Sequence, residues 1–128
     1  MDPEQGADHW GGYTYERERI ASTIADLGID GLIMLAGDAH MVAIDDGSNS
    51  DYAPSGDASF PVMQAAALDR NGSEKGGPYS EGAYPGPGRF GLLSVEDRGD
   101  VIEIELRGLT WEDEELTSLR VVIPVDSP

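Results

Sequence analysis

Gly37-Asp38-Ala39-His40 is the segment best equipped for chemistry. It sets a carboxylate and an imidazole two residues apart, just after the apolar run Leu32-Ile33-Met34-Leu35. Both side chains can face one cavity if the backbone turns, and Gly37 permits that turn. Carboxylate oxygen with imidazole nitrogen suits Zn, Fe or Mn, and a carboxylate also serves Ca. The competing reading is a histidine packed at a sheet edge and an aspartate opening a turn. Two ligands are too few for a tight centre, because a catalytic metal takes at least three protein ligands. A second oxygen-rich stretch holds Asp45, Asp46, Asn49 and Asp51. It offers carboxylates for Ca²⁺ but departs from EF-hand spacing, so a solvated loop is the plainer reading. No residue is assigned a catalytic role as nucleophile or general acid.

The elements that must position these residues read as follows. Residues 1–13 are a polar, Gly-rich loop. A helix spans about 15–27, capped by Thr14 and with Glu16 in its first turn. It carries Ile20, Ile24 and Leu27 on one face and stops at Gly28. Leu32 to Leu35 reads as a strand buried on both faces. Helix, short turn, buried strand and polar strand end make an α/β unit with a site at its carboxyl edge. Met41 to Ile44 is a second short strand, followed by a long loop over 45–59. Phe60 to Leu68 reads as an edge or entering strand, because Pro61 disfavours a helix interior. A second long loop covers 69–89, and loops this long in a compact domain are usually functional or disordered. Phe90–Val95 and Val101–Leu106 form a β-hairpin with Glu103 and Glu105 facing outward, and Leu119–Val125 is the last strand. The acidic stretch from Trp111 to Leu116 is a connection, its run of charges a solvated face. The fold class is therefore α/β: a helix and a buried strand followed by an antiparallel β region.

Composition narrows the function classes. The chain has 128 residues, the length of one domain. Its 25 Asp and Glu against 8 Lys and Arg give a net charge of −17. That balance argues against nucleic acid and against an anionic membrane surface as partners. Only Lys75 is lysine, and Asp outnumbers Glu, a halophile-like texture that also fits a simply acidic domain. Zero cysteines exclude disulfides and thiolate sites. No apolar run approaches the ~20 residues of a membrane helix. Met1-Asp2-Pro3-Glu4 lacks the basic and apolar regions of a signal peptide.

Taken in order, several segments resemble the PhoD-like (alkaline phosphatase D) branch of the calcineurin-like metallophosphoesterases. Gly37-Asp38-Ala39-His40 after a strand is similar to the family's last metal motif. Asp8-His9-Trp10-Gly11-Gly12-Tyr13 is similar to its Asp-x-Trp-x-Gly-Tyr segment. Phe60-Pro61-Val62, Lys75-Gly76-Gly77-Pro78-Tyr79-Ser80 and Arg89-Phe90-Gly91 follow in the family's order. The resemblance runs from about residue 8 to 123. It implies a β-sandwich flanked by helices, with metal ligands on loops at strand ends. It implies metal-dependent hydrolysis of phosphate mono- and diesters, with Fe and Ca favoured and Mn or Zn as alternatives. Asp38 and His40 would then be metal ligands, and an Asp in place of the superfamily's usual His shifts the site toward harder oxygen ligation. Lys75 and Arg89 become the cations to meet a phosphate, the glycines after Lys75 letting backbone N–H groups approach an anion. Surface charge balance explains the same two cations equally well, and Arg70 is a lesser candidate.

The family's earlier metal motifs have no counterpart in these 128 residues. Residues 1–128 therefore resemble one partial domain, the C-terminal half of such an enzyme, expected to be inactive alone. The implied partners are a phosphate ester and the missing N-terminal half, in cis or in trans. A sheet edge left uncovered invites homodimerisation. Family members are often exported, but the sequence itself assigns no compartment. The rival reading is a non-catalytic β-rich binding or interaction domain, with Ca²⁺ in the 45–51 loop.

Overall fold

The computed structural model describes residues 12–125. They form one helix and two sheets, a mixed α/β architecture dominated by strands. Helix α1 (Thr14–Asp26) starts one residue before the expected range, with Tyr13 rather than Thr14 at the N-cap and no side-chain cap. Its end matches the expected stop. Gly28 takes φ +58°, its N–H donates to the Ala25 carbonyl, and the Ile29 N–H donates to the Ile24 carbonyl. That pair of bonds is a Schellman closure. The buried stripe differs from the expected one. Ala21 is the buried residue, with Arg17 and Ile24 half-buried on its face, whereas Ile20 and Leu27 are exposed. The helix docks through a small side chain with Ile24 partly covered beside it, and Ile20 and Leu27 point away. The Arg17 guanidinium lies 4.6 Å from the centre of the Tyr52 ring, a cation–π contact.

The first sheet has the order β1-β3-β2-β4, with β1 (Met34–Ala36), β2 (Met41–Asp45), β3 (Val62–Gln64) and β4 (Ala83–Pro85). β1 and β3 are parallel; β3–β2 and β2–β4 are antiparallel. The expectation of a first strand buried on both faces is overturned. β1 has one neighbour and lies at the sheet edge, with Leu35 58% exposed. β2 occupies the covered position instead, and all five of its residues are buried. β3 is likewise internal rather than an edge strand. Pro61 precedes the ladder and only accepts, its carbonyl taking the Met34 N–H at 2.9 Å, so the missing proline donor costs no sheet bond. β4 was hidden inside the expected 69–89 loop, where three residues among glycines and prolines carry no periodic signal.

The second sheet is an antiparallel meander of β5 (Arg89–Asp97), β6 (Val101–Thr110) and β7 (Glu115–Pro124). The expected hairpin is present, with longer strands. β7 begins at Glu115 because the connection is only Trp111–Glu114, with Asp113 at φ +65° and a bulge at Gly108/Leu109. The two sheets meet across Ile44 and Met63 of the first and Ile104 and Leu106 of the second, with Ile33, Ile102, Leu119, Val121 and Ile123 packed around them. Two strand glycines allow this approach. Gly91 and Gly108 are directly paired in register. A Cβ at Gly108 would overlap Val42 Cγ1, and one at Gly91 would overlap Met63 and come within 2.8 Å of Ala65 Cβ.

The outer face of the second sheet carries an ion network. Glu96 and Glu103 are register partners, a like-charge pairing that is unfavourable by itself. Arg98 bridges them, at 2.7 Å to Glu96 and 3.2 Å to Glu103, and Arg120 also binds Glu103. Arg107 pairs with Glu115 at 2.7 Å. The Arg120 hydrogen bond, aided by Arg98, holds the Glu103 carboxyl below its ordinary range. Arg107 and Ser118 do the same for Glu115. A carboxylate depressed in the folded state contributes stability that is complete above the unfolded value, about 4.3 for Glu. That stability is lost as pH falls through the folded value. Glu103→Gln is therefore expected to lower the melting temperature at pH 7. The gap to the unmodified chain should close as pH drops below about 4, as read by thermal melts across pH. A gap that is constant with pH would refute the assignment.

Candidate functional site

The site lies where the parallel pair β1–β3 ends. The Ala65 N–H donates to the Ala36 carbonyl at 2.9 Å, one step past the ladder. Beyond it the two chains diverge, one into Gly37–His40 and the other into Ala66–Arg70. Divergence at the carboxyl ends of neighbouring strands is where open α/β sheets place ligands. Here it opens a depression of about 610 Å³ lined by Asp38, His40, Ala66, Ala67, Leu68, Asp69 and Arg70. Asp38 is exposed and His40 half-buried.

The backbone of this turn is unusual. Asp38 has φ +72° and His40 φ +52°, the left-handed region that non-glycine residues seldom occupy. Gly37, credited in the sequence with making the turn, is not among the positive-φ glycines; the two candidate ligands themselves take the strained conformations. Ser73 holds the turn from outside. Its N–H donates to the His40 carbonyl at 3.2 Å and its hydroxyl to the Ala39 carbonyl at 3.1 Å. Gly72 beside it lies so close to Gly86 that a Cβ would overlap the Gly86 backbone. Neither Ser73 nor Asp69 is among the site residues expected from the sequence. The signal that marks them is a polar turn cluster, Asp69-Arg70-Asn71-Gly72-Ser73, directly after the apolar stretch Phe60–Leu68.

The remaining candidates lie elsewhere. Lys75 and Arg89 do not line this depression. Lys75 is exposed, and its carbonyl accepts the Tyr79 hydroxyl at 2.9 Å. Arg89 folds its guanidinium over Gly86, within 3 Å of where a Cβ there would sit. Its N–H reaches the Ala67 carbonyl at 3.4 Å, so its backbone supports the wall of the depression. His9 and Trp10 lie outside the described residues.

The 45–51 loop is organised by hydrogen bonds. Asp45 is 2% exposed. Its Oδ1 accepts the Gly47 and Asn49 N–H groups at 2.9 and 3.1 Å; its Oδ2 accepts Asn49 Nδ2 at 2.7 Å and the Ser80 N–H at 3.0 Å. Asp46 accepts from the Ser48 N–H, and hydrogen bonding from Ser48 lowers its carboxyl below the ordinary range. Asp51 accepts the Ala53 and Ala58 N–H groups. Among the described residues no three His, Cys, Asp or Glu side chains converge as a metal-holding group. The Asp38–His40 pair offers one oxygen and one nitrogen donor. That set fits Fe, Mn or Zn as part of a centre and needs further ligands to complete one.

A comparison with curated proteins gives no match, and a comparison with solved structures gives none. The family model of the PhoD-like phosphatases matches residues 2–99. The matched stretch contains the whole Gly37–His40 turn, the depression and the Ser73 anchor. It stops in the turn between β5 and β6, so it ends short of residue 123, to which the motif resemblance extended. A match over well over half of the 128 residues, this turn included, settles the affiliation: the chain belongs to the PhoD-like phosphatase family.

Proposed function

We propose that this chain contributes the Asp38–His40 ligand pair to a metal-dependent phosphoesterase centre that hydrolyses phosphate mono- or diesters. The observation that carries the reading is the placement of both side chains on one depression at the ends of parallel strands, in a chain of this family. The left-handed backbone at both residues adds to it, since strain of this kind concentrates at functional sites. The metal would supply charge neutralisation of phosphoryl oxygens and an activated water. Asp38 and His40 would hold it, and Ser73 would fix the turn that presents them. The remaining ligands would come from a further segment of the domain, in cis or in trans, which makes the two-sheet unit part of a larger sandwich. The family's reported ions make Fe with Ca the leading metal set, with Mn and Zn as alternatives. The rival, Ca²⁺ in the 45–51 loop, is disfavoured at Asp45, whose oxygens are engaged by N–H donors.

The test is metal affinity by calorimetry with Fe, Mn, Zn and Ca, comparing the chain with His40→Ala and Asp38→Ala. We expect weak binding that falls about tenfold or more in either variant, the loss of one ligand from a small set. Binding that survives both substitutions, or that follows Asp51→Ala instead, would defeat the reading.

A further inference from the structure

Resting on the phosphoesterase reading above, we propose that Arg70 is the side chain that receives the phosphoryl oxygens of the substrate at the Asp38–His40 site. Eight cations are available in the whole chain, and all eight lie within the described residues. Arg98, Arg107 and Arg120 are engaged by carboxylates on the outer face of the second sheet. Arg17 is stacked on Tyr52. Of the four left, Arg19 is on the helix, Lys75 is on an exposed loop and Arg89 is folded over Gly86. Arg70 alone lines the depression with Asp38 and His40, and it is outside every ion pair among the described residues.

Electrostatics require such a group. A phosphate ester approaching this depression meets the carboxylates of Asp38 and Asp69 on a chain of net charge −17. A metal held by Asp38 and His40 would offset only part of that field, so a cation at the rim decides whether the anion stays. A guanidinium suits the task because its planar fork engages two phosphoryl oxygens at once and stays charged at every working pH. The tether is short as well. Three residues after Arg70, Ser73 is fastened to the carbonyls of Ala39 and His40, so the rim loop and the ligand turn are tied together.

The test is titration of the Mn²⁺-loaded full chain with inorganic phosphate, with Mn²⁺ affinity measured separately for each variant. Arg70→Ala is expected to weaken phosphate binding by about tenfold or more while leaving Mn²⁺ affinity and the melting temperature unchanged. Arg70→Lys should recover part of the loss, as a point charge lacking the fork. Lys75→Ala and Arg89→Ala should bind phosphate as the unmodified chain does. Phosphate binding unchanged in Arg70→Ala, or no phosphate binding by the Mn²⁺-loaded chain, overturns the proposal; so does a loss that tracks Lys75 or Arg89. Mn²⁺ affinity indifferent to His40→Ala is a different failure, that of the underlying phosphoesterase reading, and the two are told apart because each has its own ligand.

Discussion

Asp45→Ala is expected to destabilise the chain by about 4 kcal/mol, among the larger effects a single substitution produces. The carboxylate stands at the end of β2 and is almost wholly buried. It is the common acceptor for three backbone N–H groups and the Asn49 side-chain amide. Removing it orphans the buried Gly47 N–H, at about 1–3 kcal/mol, and takes the shared acceptor from the part-buried Asn49 and Ser80 donors. The loss reaches both long loops, because Ser80 belongs to the second and Asn49 to the first. Asn at this position is an instructive control. It returns one oxygen, able to serve Gly47 and Asn49, but turns an NH₂ group toward the Ser80 N–H. Asp45→Asn should therefore retain less than half of the lost stability. Urea denaturation of the three proteins checks both statements. A loss below about 1 kcal/mol in Asp45→Ala would mean that the loops are held by something else.

The second large effect concerns the seam between the sheets. Gly108→Val is expected to cost about 3 kcal/mol, at the upper end for overpacking, and Gly108→Ala roughly half of that. The added atoms meet Val42, every atom of which is already buried, with the Thr117 methyl 3.1 Å from the new Cβ. Val42→Ala is the partner substitution, since it removes the methyl that Gly108→Ala would strike. In a double-mutant cycle the pair should be less harmful than the sum of its parts by about 1 kcal/mol or more. Simple additivity would show that the sheets part rather than resist.

What the sequence disclosed and what it hid divide along physical lines. The helix stop at Gly28, the β5–β6 hairpin and the outward glutamates are local properties, set by backbone freedom and by alternation within a few residues. The exchange of roles between β1 and β2 is not local. Leu32-Ile33-Met34-Leu35 and Met41-Val42-Ala43-Ile44 are both short apolar runs. Which one is covered depends on where β3, β4 and the second sheet come to rest. The site followed the same division. Asp38 and His40 announce themselves by type and spacing, and the family match covers them. Asp69 and Ser73 sit about thirty residues onward, in a stretch whose importance arises only because β3 runs parallel to β1. Arg70 stood behind Lys75 and Arg89 in the sequence because motif order carries no information on which loop folds back to the ligand turn.

Where Asp38 and His40 hold the metal proposed above, the left-handed backbone at both sets function against stability. Each non-glycine residue held there costs of order 1 kcal/mol that glycine would not. The chain would be easier to fold with glycine at either position, and random substitution followed by selection for heat resistance alone would drift that way. A population screened only for robustness would thus discard the two donors first, keep the sheets and the Asp45 hub, and arrive at a sturdier protein with an empty mouth. On the phosphoesterase reading, the turn endures only where something besides folding is being selected.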